Sequence, residues 1–346
     1  MSKSLVSVII INWNGGEVFK NCLQSLSKID YQNWELIVVD NGSSDDSQLL
    51  VTQVKLPYKR NQLIQNNLNL GFALANNQGA KKAQGKYLLL LNNDTMVEPN
   101  FLSKMVTKME ADPSLGVLQP KICLMDKPDY LDNAGSFLTK IGFWDHWGFL
   151  EKDGVAFSKE REIFSAKGAC MLIRKEVIDK VGLFDEDFVS YFEESDFCWR
   201  VWLAGYKVLF YPQVKIYHKV GFTIKRLDVF DINYHYYKNR ICSLIQNLET
   251  KNLLTVFTSH LFISVGIAVV FLLRRNLNNF FMVFRAILWN VFNLPKILSK
   301  RSLVQKMRVV GDDELFAWAM HGVDWRKHFG DFKRVEGDLK RNEKSN

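Results

Sequence analysis

Residues 86–97 read KYLLLLNNDTMV. The run 87–91 has the length and composition of a strand buried on both faces, and it stops on Asn92, Asn93 and Asp94. Two amides and a carboxylate at the end of a core strand are costly unless they bind something. In open α/β sheets, ligands sit in the crevice outside the carboxyl ends of the strands. A carboxylate with oxygen-bearing neighbours suits a hard divalent cation, Mg2+ or Mn2+, that holds a diphosphate. A strand followed by an Asn/Asp turn is the plainer reading of the same residues.

Upstream, the pattern recurs. Residues 5–12, LVSVIIIN, read as a first buried strand, which ends in the turn Asn12-Trp13-Asn14-Gly15-Gly16. Residues 17–26 place Val18, Phe19, Cys22, Leu23 and Leu26 at helical spacing. Residues 34–40, WELIVVD, form a second buried strand and again end on a carboxylate, Asp40. A loop rich in capping residues, 41–46, then opens a helix over 47–54. A short strand at 63–65, the turn Asn69-Leu70-Gly71-Phe72 and a helix over 73–83 lead back to the opening stretch. This β-α-β-α alternation predicts a parallel sheet with helices on both faces, a Rossmann-like arrangement. The first βα turn lacks the spaced glycines of a dinucleotide fingerprint and a P-loop lysine. A nucleotide suits the fold; NAD binding and ATP hydrolysis are not indicated. Asp40 either bonds a base or ribose or is an ordinary strand-end turn residue.

Downstream, a helix follows Pro99 to residue 111, Asp112-Pro113 breaks it, and 115–119 is a strand. Residues 121–163 are irregular, with Trp144, His146 and Trp147 close together; such aromatics stack on a sugar or are simply half-buried. Residues 164–174, FSAKGACMLIR, read as a strand whose Gly168 marks a bulge or a close approach. After a helix over 175–181 and a loop, 191–204 (YFEESDFCWRVWLA) form a helix with Phe197, Val201 and Ala204 on one face. Its first turn carries Glu193, Glu194 and Asp196. Acids favour a helix N-terminus; three on one turn also repel, which raises a carboxyl pKa toward what a general base near neutral pH needs. Extended pieces at 208–211 and 214–218 end on His218.

The chain has 346 residues, 47% hydrophobic and 24% charged, which is globular rather than disordered. Its net charge is +8. The basic residues crowd the region from Arg274 to Lys344 and form no nucleic-acid-reading motif, which favours an anionic membrane surface over nucleic acid. Cys22, Cys123, Cys170, Cys198 and Cys242 occur singly, as reduced cytosolic thiols do. The apolar run near the N-terminus is too short for a signal peptide.

The ordered pieces SVIIINWNG, VVDNGSSDDS, NLGFALANN, LLLLNNDT, KGACMLIRKEVIDKVGLFDE, YFEESDFCWR, AGYKV and IYHKVG together resemble family 2 glycosyltransferases, the inverting GT-A group, and especially their bacterial rhamnosyltransferase-like branch. The resemblance covers residues 6–240. It implies an α/β fold, a GT-A Rossmann-like nucleotide-sugar-binding domain with a mixed central sheet. It also implies residue roles. Asp40, Asn41 and Ser43 would contact base and ribose. Asn69, Gly71 and Phe72 would line the nucleotide-sugar pocket, with Asn12, Asn93 and Lys167 among the donor contacts. Gly168-Ala169 would let the backbone approach donor sugar or acceptor. Asn92 and Asp94 occupy the family's metal motif, usually Asp-x-Asp; with Asn92 in first place a further protein ligand is needed, and His218 matches it. Glu194 matches the catalytic base, with Asp196 two residues on and Glu193 its rival. The chemistry is coherent: a divalent metal, Mg2+ or Mn2+, stabilises the leaving diphosphate, and a carboxylate deprotonates the attacking hydroxyl. One base opposite the leaving group gives inversion.

The expected organisation is a GT-A domain over 1–240 (nucleotide-binding half 1–120, acceptor half 121–240), a hydrophobic and basic helical region over 241–310, and a polar tail over 311–346. Residues 253–273 hold no Asp, Glu, Lys or Arg, enough to cross a bilayer. A second apolar stretch, 280–294, is broken by Arg285. A single crossing would separate the catalytic domain from the basic tail, both of which belong in the cytosol. Surface or re-entrant helices, a spanning hairpin or a soluble helical cap remain. The implied activity moves a hexosyl or deoxyhexosyl unit, rhamnose included, from a UDP- or dTDP-linked donor to a lipid-linked or polysaccharide acceptor. The place implied is the cytoplasmic face of the plasma membrane, with a homo-oligomer compatible. A sugar nucleotidyltransferase is the rival enzyme, disfavoured because residues 12–16 hold no Arg or Lys. A non-catalytic, membrane-bound glycan-binding protein is the other rival, against which the retained Asp94, Glu194 and His218 count.

Overall fold

The computed structural model describes residues 4–53, 60–221 and 229–323. The first half alternates as the spacing predicts: β1 (Val6–Asn12), α1 (Gly16–Leu26), β2 (Trp34–Asp40), α2 (Leu50–Gln53), β3 (Asn61–Gln65), α3 (Phe72–Lys82) and β4 (Tyr87–Leu91). These strands are parallel in the order β3-β2-β1-β4, with Asn12 opposite Asp40. Both faces are buried because successive residues alternate between them. Ile9 and Ile37 share a core with Ala73 of α3, whereas Val8, Ile10 and Leu36 share another with Phe19, Cys22 and Leu23 of α1.

The second half turns the sheet mixed. It comprises β5 (Thr95–Val97), α4 (Phe101–Ala111), β6 (Leu115–Leu124), β7 (Lys127–Asn133), β8 (Ser136–Thr139), β9 (Trp144–His146), β10 (Arg161–Glu162), β11 (Cys170–Arg174), α5 (Lys175–Val181), α6 (Glu193–Leu203) and β12 (Lys207–His218). Strand β11 lies antiparallel between β4 and β6, with Cys170 opposite Leu91. The last residue of β12, His218, pairs with Thr95 at the start of β5.

Three sequence expectations change here. Residues 121–163, expected to be irregular, contain β7 to β10; these strands are short and half polar, so no period shows. The strand expected over 164–174 begins only at Cys170, and Gly168 lies in the turn before it. The pieces at 208–211 and 214–218 are one strand, β12, with a register shift between Tyr211 and Lys215.

Helix α7 (Val229–Asn247) runs through the boundary expected at residue 240. Next come α8 (Thr250–Asn252), a π-turn at Leu253–Phe257 and α9 (Thr258–Leu273), then α10 (Leu277–Phe292) and α11 (Leu294–Met307). Among the described residues one helix, Thr250–Leu273, is long and apolar enough to cross a membrane; α10 and α11 qualify only as a pair bent by 69°. Of the expected polar tail, 324–346, with Trp325, lies outside the described residues. The part described folds back: α12 (Asp312–Ala319) sets Trp318 against Trp202, and β13 (Met320–His321) pairs with β8.

Gly71, at the start of α3, has φ +84°, and a Cβ there would fall 2.5 Å from the Val189 carbonyl oxygen. Backbone cannot yield as a side chain does. Gly71→Ala is therefore expected to lower stability by about 2 kcal/mol or more, read from urea denaturation. An unchanged midpoint would show that the turn relaxes freely.

Candidate functional site

The β5–β12 pairing sets the first pole. His218 Nε2 lies 3.1 Å from Asp94 Oδ1, and its Nδ1 lies 2.8 Å from Asp132 Oδ2. The other oxygen of Asp132 meets Lys167 Nζ at 2.6 Å. Asp94, Asp132 and His218 are buried. Burial opposes charge on His218, but the two carboxylates outweigh it and push its pKa up to about 9. Burial likewise opposes charge on Asp132, and Lys167 and His218 nonetheless hold its carboxyl well below the ordinary range. Asp132 was missed by sequence reasoning. It sits in the irregular stretch, and only the return of β12 beside β6 brings it under His218.

Asp94 Oδ1 is buried and makes no aligned hydrogen bond despite its nearness to the imidazole. Adjacent ligands of an octahedral ion with bonds of about 2.1 Å lie about 3 Å apart, so this oxygen and His218 Nε2 fit one divalent cation. An imidazole held by a carboxylate on its other nitrogen is the usual support for such a ligand. Among the described residues, no group of three or more His, Cys, Asp or Glu gathers to form a metal cluster. The remaining ligands must come from elsewhere. Asn92 is half-buried, and its backbone N–H bonds the Ala169 carbonyl at 3.0 Å.

The second group of expected residues builds the loops above β1 and β2. Asn12 donates to Asp40 Oδ1 at 2.8 Å and to Ser47 Oγ at 2.8 Å, and it accepts from Asn93 at 3.2 Å. Ser43 donates from its hydroxyl to Asp40 at 2.6 Å. Asn41 donates to Asn69 Oδ1 at 2.8 Å and to the Gly71 carbonyl at 3.2 Å. Asn12, Asp40 and Asn41 are buried, and the bonds they exchange shape the strand ends.

The third group surrounds the start of α6. Val189, Tyr191 and Phe192 have φ of +59°, +68° and +77°, a run of strained non-glycine residues. Asn239 of α7 pins it, donating to the carbonyls of Phe188, Ser190 and Tyr191 at 2.9, 2.9 and 2.6 Å. This orients Glu193 and Glu194. Glu194 is half-buried, and the nearby Gly168 backbone N–H and Lys167 favour its charged form. A Cβ on Gly168 would lie 3.5 Å from the Phe72 ring and 3.9 Å from the Glu194 carboxyl carbon, so these three groups face one small space. Glu193 is only 4% exposed, and its Oε2 has no partner.

Burial raises both carboxyls. Glu193 stands well above 4.5, burial being joined by the charge of Glu194. For Glu194, backbone N–H groups and Lys167 oppose the rise. The charge of Glu194 thus adds to burial at Glu193, whereas Lys167 and the Gly168 backbone N–H work against burial at Glu194.

Asp196, expected beside the base, is enclosed: it binds Arg200 at 2.9 Å, Ser243 at 2.7 Å and Asn247 at 2.7 Å. Its Oδ1 fastens α6 to α7 and its Oδ2 pairs with Arg200 within α6, so neither is presented to a reactant. Lys167, expected at the donor, spends its amine on Asp132. Trp144 packs against Phe164, Phe192 and Trp199 in the core, and Trp147 against Phe157 and Phe210. His146 Nδ1 lies 2.8 Å from Ser136 Oγ.

A Glu193 carboxyl raised in the folded chain binds its proton more tightly there than in the unfolded chain. Above 4.5 the unfolded chain ionises first, so stability falls as pH rises from there toward the folded value. Glu193→Gln removes that loss. Its Tm should exceed wild type by at least about 2 °C at about pH 8 and match it at about pH 4. A gap of the same size at both would mean the carboxyl is ionised throughout.

The sequence model of glycosyl transferase family 2 matches residues 7–182. The uncharacterized protein y4gI of Sinorhizobium fredii is 30% identical over 223 residues, covering 62% of this chain and 24% of its own length. Poly-beta-1,6-N-acetyl-D-glucosamine synthase of Staphylococcus aureus is 26% identical over 211 residues, 60% of this chain and 48% of the synthase. The chain thus spans half or less of the length of these curated relatives. Among solved structures, GalNAc-T7 with UDP, GalNAc and Mn2+ superposes with a TM-score of 0.58 at 19% identity, over 71% of this chain and 48% of that one. That likeness is one of fold, GT-A-like with a mixed central sheet.

Proposed function

Because the chain belongs to glycosyl transferase family 2, we propose that it transfers a hexosyl or deoxyhexosyl unit, rhamnosyl among them, from a UDP- or dTDP-linked donor to a lipid-linked or polysaccharide acceptor, with inversion. The observation that carries this reading is a continuous link between the two poles. The Asp94–His218 pair is joined through Asp132 to Lys167, whose neighbour Gly168 faces the Glu194 carboxyl.

Glu194 takes the proton of the acceptor hydroxyl as that oxygen attacks the anomeric carbon. Burial and the charge of Glu194 raise the Glu193 carboxyl beside it, which disfavours a second negative charge there. Phe72 and Gly168 leave the space for the sugar. Asp94 and His218 would hold a Mg2+ or Mn2+ ion, which would supply Lewis-acid stabilisation of the departing diphosphate. GalNAc-T7, with UDP and Mn2+, supports both donor and metal by analogy.

The C-terminal helices lie on the cytoplasmic face of the plasma membrane, peripherally or as a hairpin. Leu254, Phe262, Leu273, Phe281 and Phe292 are each at least 62% exposed, and Arg274 and Arg275 sit between the two apolar helices. Apolar side chains beside basic ones suit an anionic bilayer surface.

A screen of UDP- and dTDP-sugars with Mn2+ or Mg2+ should find one donor that is slowly hydrolysed. Glu194→Gln should lower kcat at least about a hundredfold while nucleotide binding persists. Asp94→Ala should weaken nucleoside-diphosphate binding in Mn2+ but not in EDTA. No hydrolysis of any donor would leave the non-catalytic rival standing. In flotation assays the full chain should rise with anionic vesicles, and Phe262→Asp should reduce the floating fraction; a chain that stays at the bottom sinks the membrane assignment.

A further inference from the structure

Arg240 of α7 is 9% exposed, and its Nε is buried with no hydrogen-bond partner. No carboxylate pairs with it among the described residues. Its surroundings are aromatic: the guanidinium carbon lies 4.5 Å from the Phe143 ring centroid, 5.5 Å from Tyr236, 5.8 Å from Phe192 and 6.0 Å from Tyr237. A guanidinium presents five N–H donors and stays charged. Ring faces attract it but accept few hydrogen bonds. A buried cation left so poorly paired is costly and fits a group whose partner is an incoming anion.

The location narrows that anion. On one side, Phe192 precedes Glu193, and the Tyr236 hydroxyl lies within the influence of both Glu194 and Arg240. On the other, the His260 ring of α9 packs tilted against Phe143, centroids 4.7 Å apart, and donates from Nδ1 to the Ile141 carbonyl at 3.1 Å. Arg240 thus stands between the base and the first apolar helix.

We propose that Arg240 receives the phosphate or diphosphate that joins saccharide to lipid in a lipid-linked acceptor. The sugar then points toward Glu194, and the hydrocarbon lies along the exposed apolar surface of α9. This rests on the reading of the chain as a glycosyltransferase and selects the lipid-linked acceptor over the free polysaccharide. The Arg240–phosphate contact is a charge-assisted fork, and a lysine reproduces its charge but not its two-pronged geometry.

The test uses the full chain in detergent, its donor site filled with nucleoside diphosphate and Mn2+, and titrates three probes by calorimetry: farnesyl diphosphate, farnesol and inorganic diphosphate. Wild type should bind farnesyl diphosphate at least about tenfold more tightly than farnesol. Arg240→Gln should erase most of that ratio, and Arg240→Lys should keep part of it. Equal affinities for farnesyl diphosphate and farnesol in wild type overturn the proposal, whether or not the variants fold. Inorganic diphosphate binding as tightly as farnesyl diphosphate, and equally dependent on Arg240, overturns the lipid assignment in favour of a free phosphate site. Absence of donor hydrolysis with every nucleotide sugar counts against the glycosyltransferase reading alone, because the three affinities do not depend on turnover.

Discussion

A line of alternating charges, Asp94–His218–Asp132–Lys167, is the interaction on which the rest depends. Its central members are buried, so each is tolerable only because the next one offsets it. The line ties the ends of β4 and β12 to the loop before β11 and leads directly to Gly168, which faces Glu194. The carboxylate proposed to gather a cation and the one proposed to remove a proton are thereby kept in one arrangement without either touching the other.

The same economy governs α6. Its entry is strained at three of four successive positions, Val189, Tyr191 and Phe192, and the strain persists because α7 over-determines it. Asn239 ties down the entry, while Ser243 and Asn247 hold Asp196 one helical turn beyond. Lys296 and Lys300 of α11 extend the clamp to Asp187, and Lys300 also meets Asp185. The helix that orients Glu194 is therefore the one against which the apolar helices pack, so the apolar helices and the candidate site are mechanically one body.

Legibility followed periodicity. Strands β1, β2 and β4 and helices α1, α3 and α4 were readable because continuous apolar runs and helical spacing survive without partners. Asp94, His218 and Glu194 could be singled out as candidates because each ends or begins such an element. The region from β7 to β10 was not, since its strands are short and draw their pairing from β6 and β12. Asp132, Asn239 and Arg240 carried no signal: an aspartate in an irregular loop, and an Asn-Arg pair on a helix, look like surface residues until something packs on them. Asp196 was misjudged in the opposite direction. Its place two residues after Glu194 put it on the far side of the helix, against α7.

By itself the chain determined its α/β character, the parallel half of the sheet, the polar strand ends and the apolar C-terminal helices, because these are properties of local sequence and need no contact partner. Only the tertiary structure decided which of three adjacent acids is free to react, which lysine and aspartate support the histidine, and which arginine is left without an anion. Those are questions of burial and pairing between residues tens to more than a hundred positions apart, and charge is worth what its neighbours make of it.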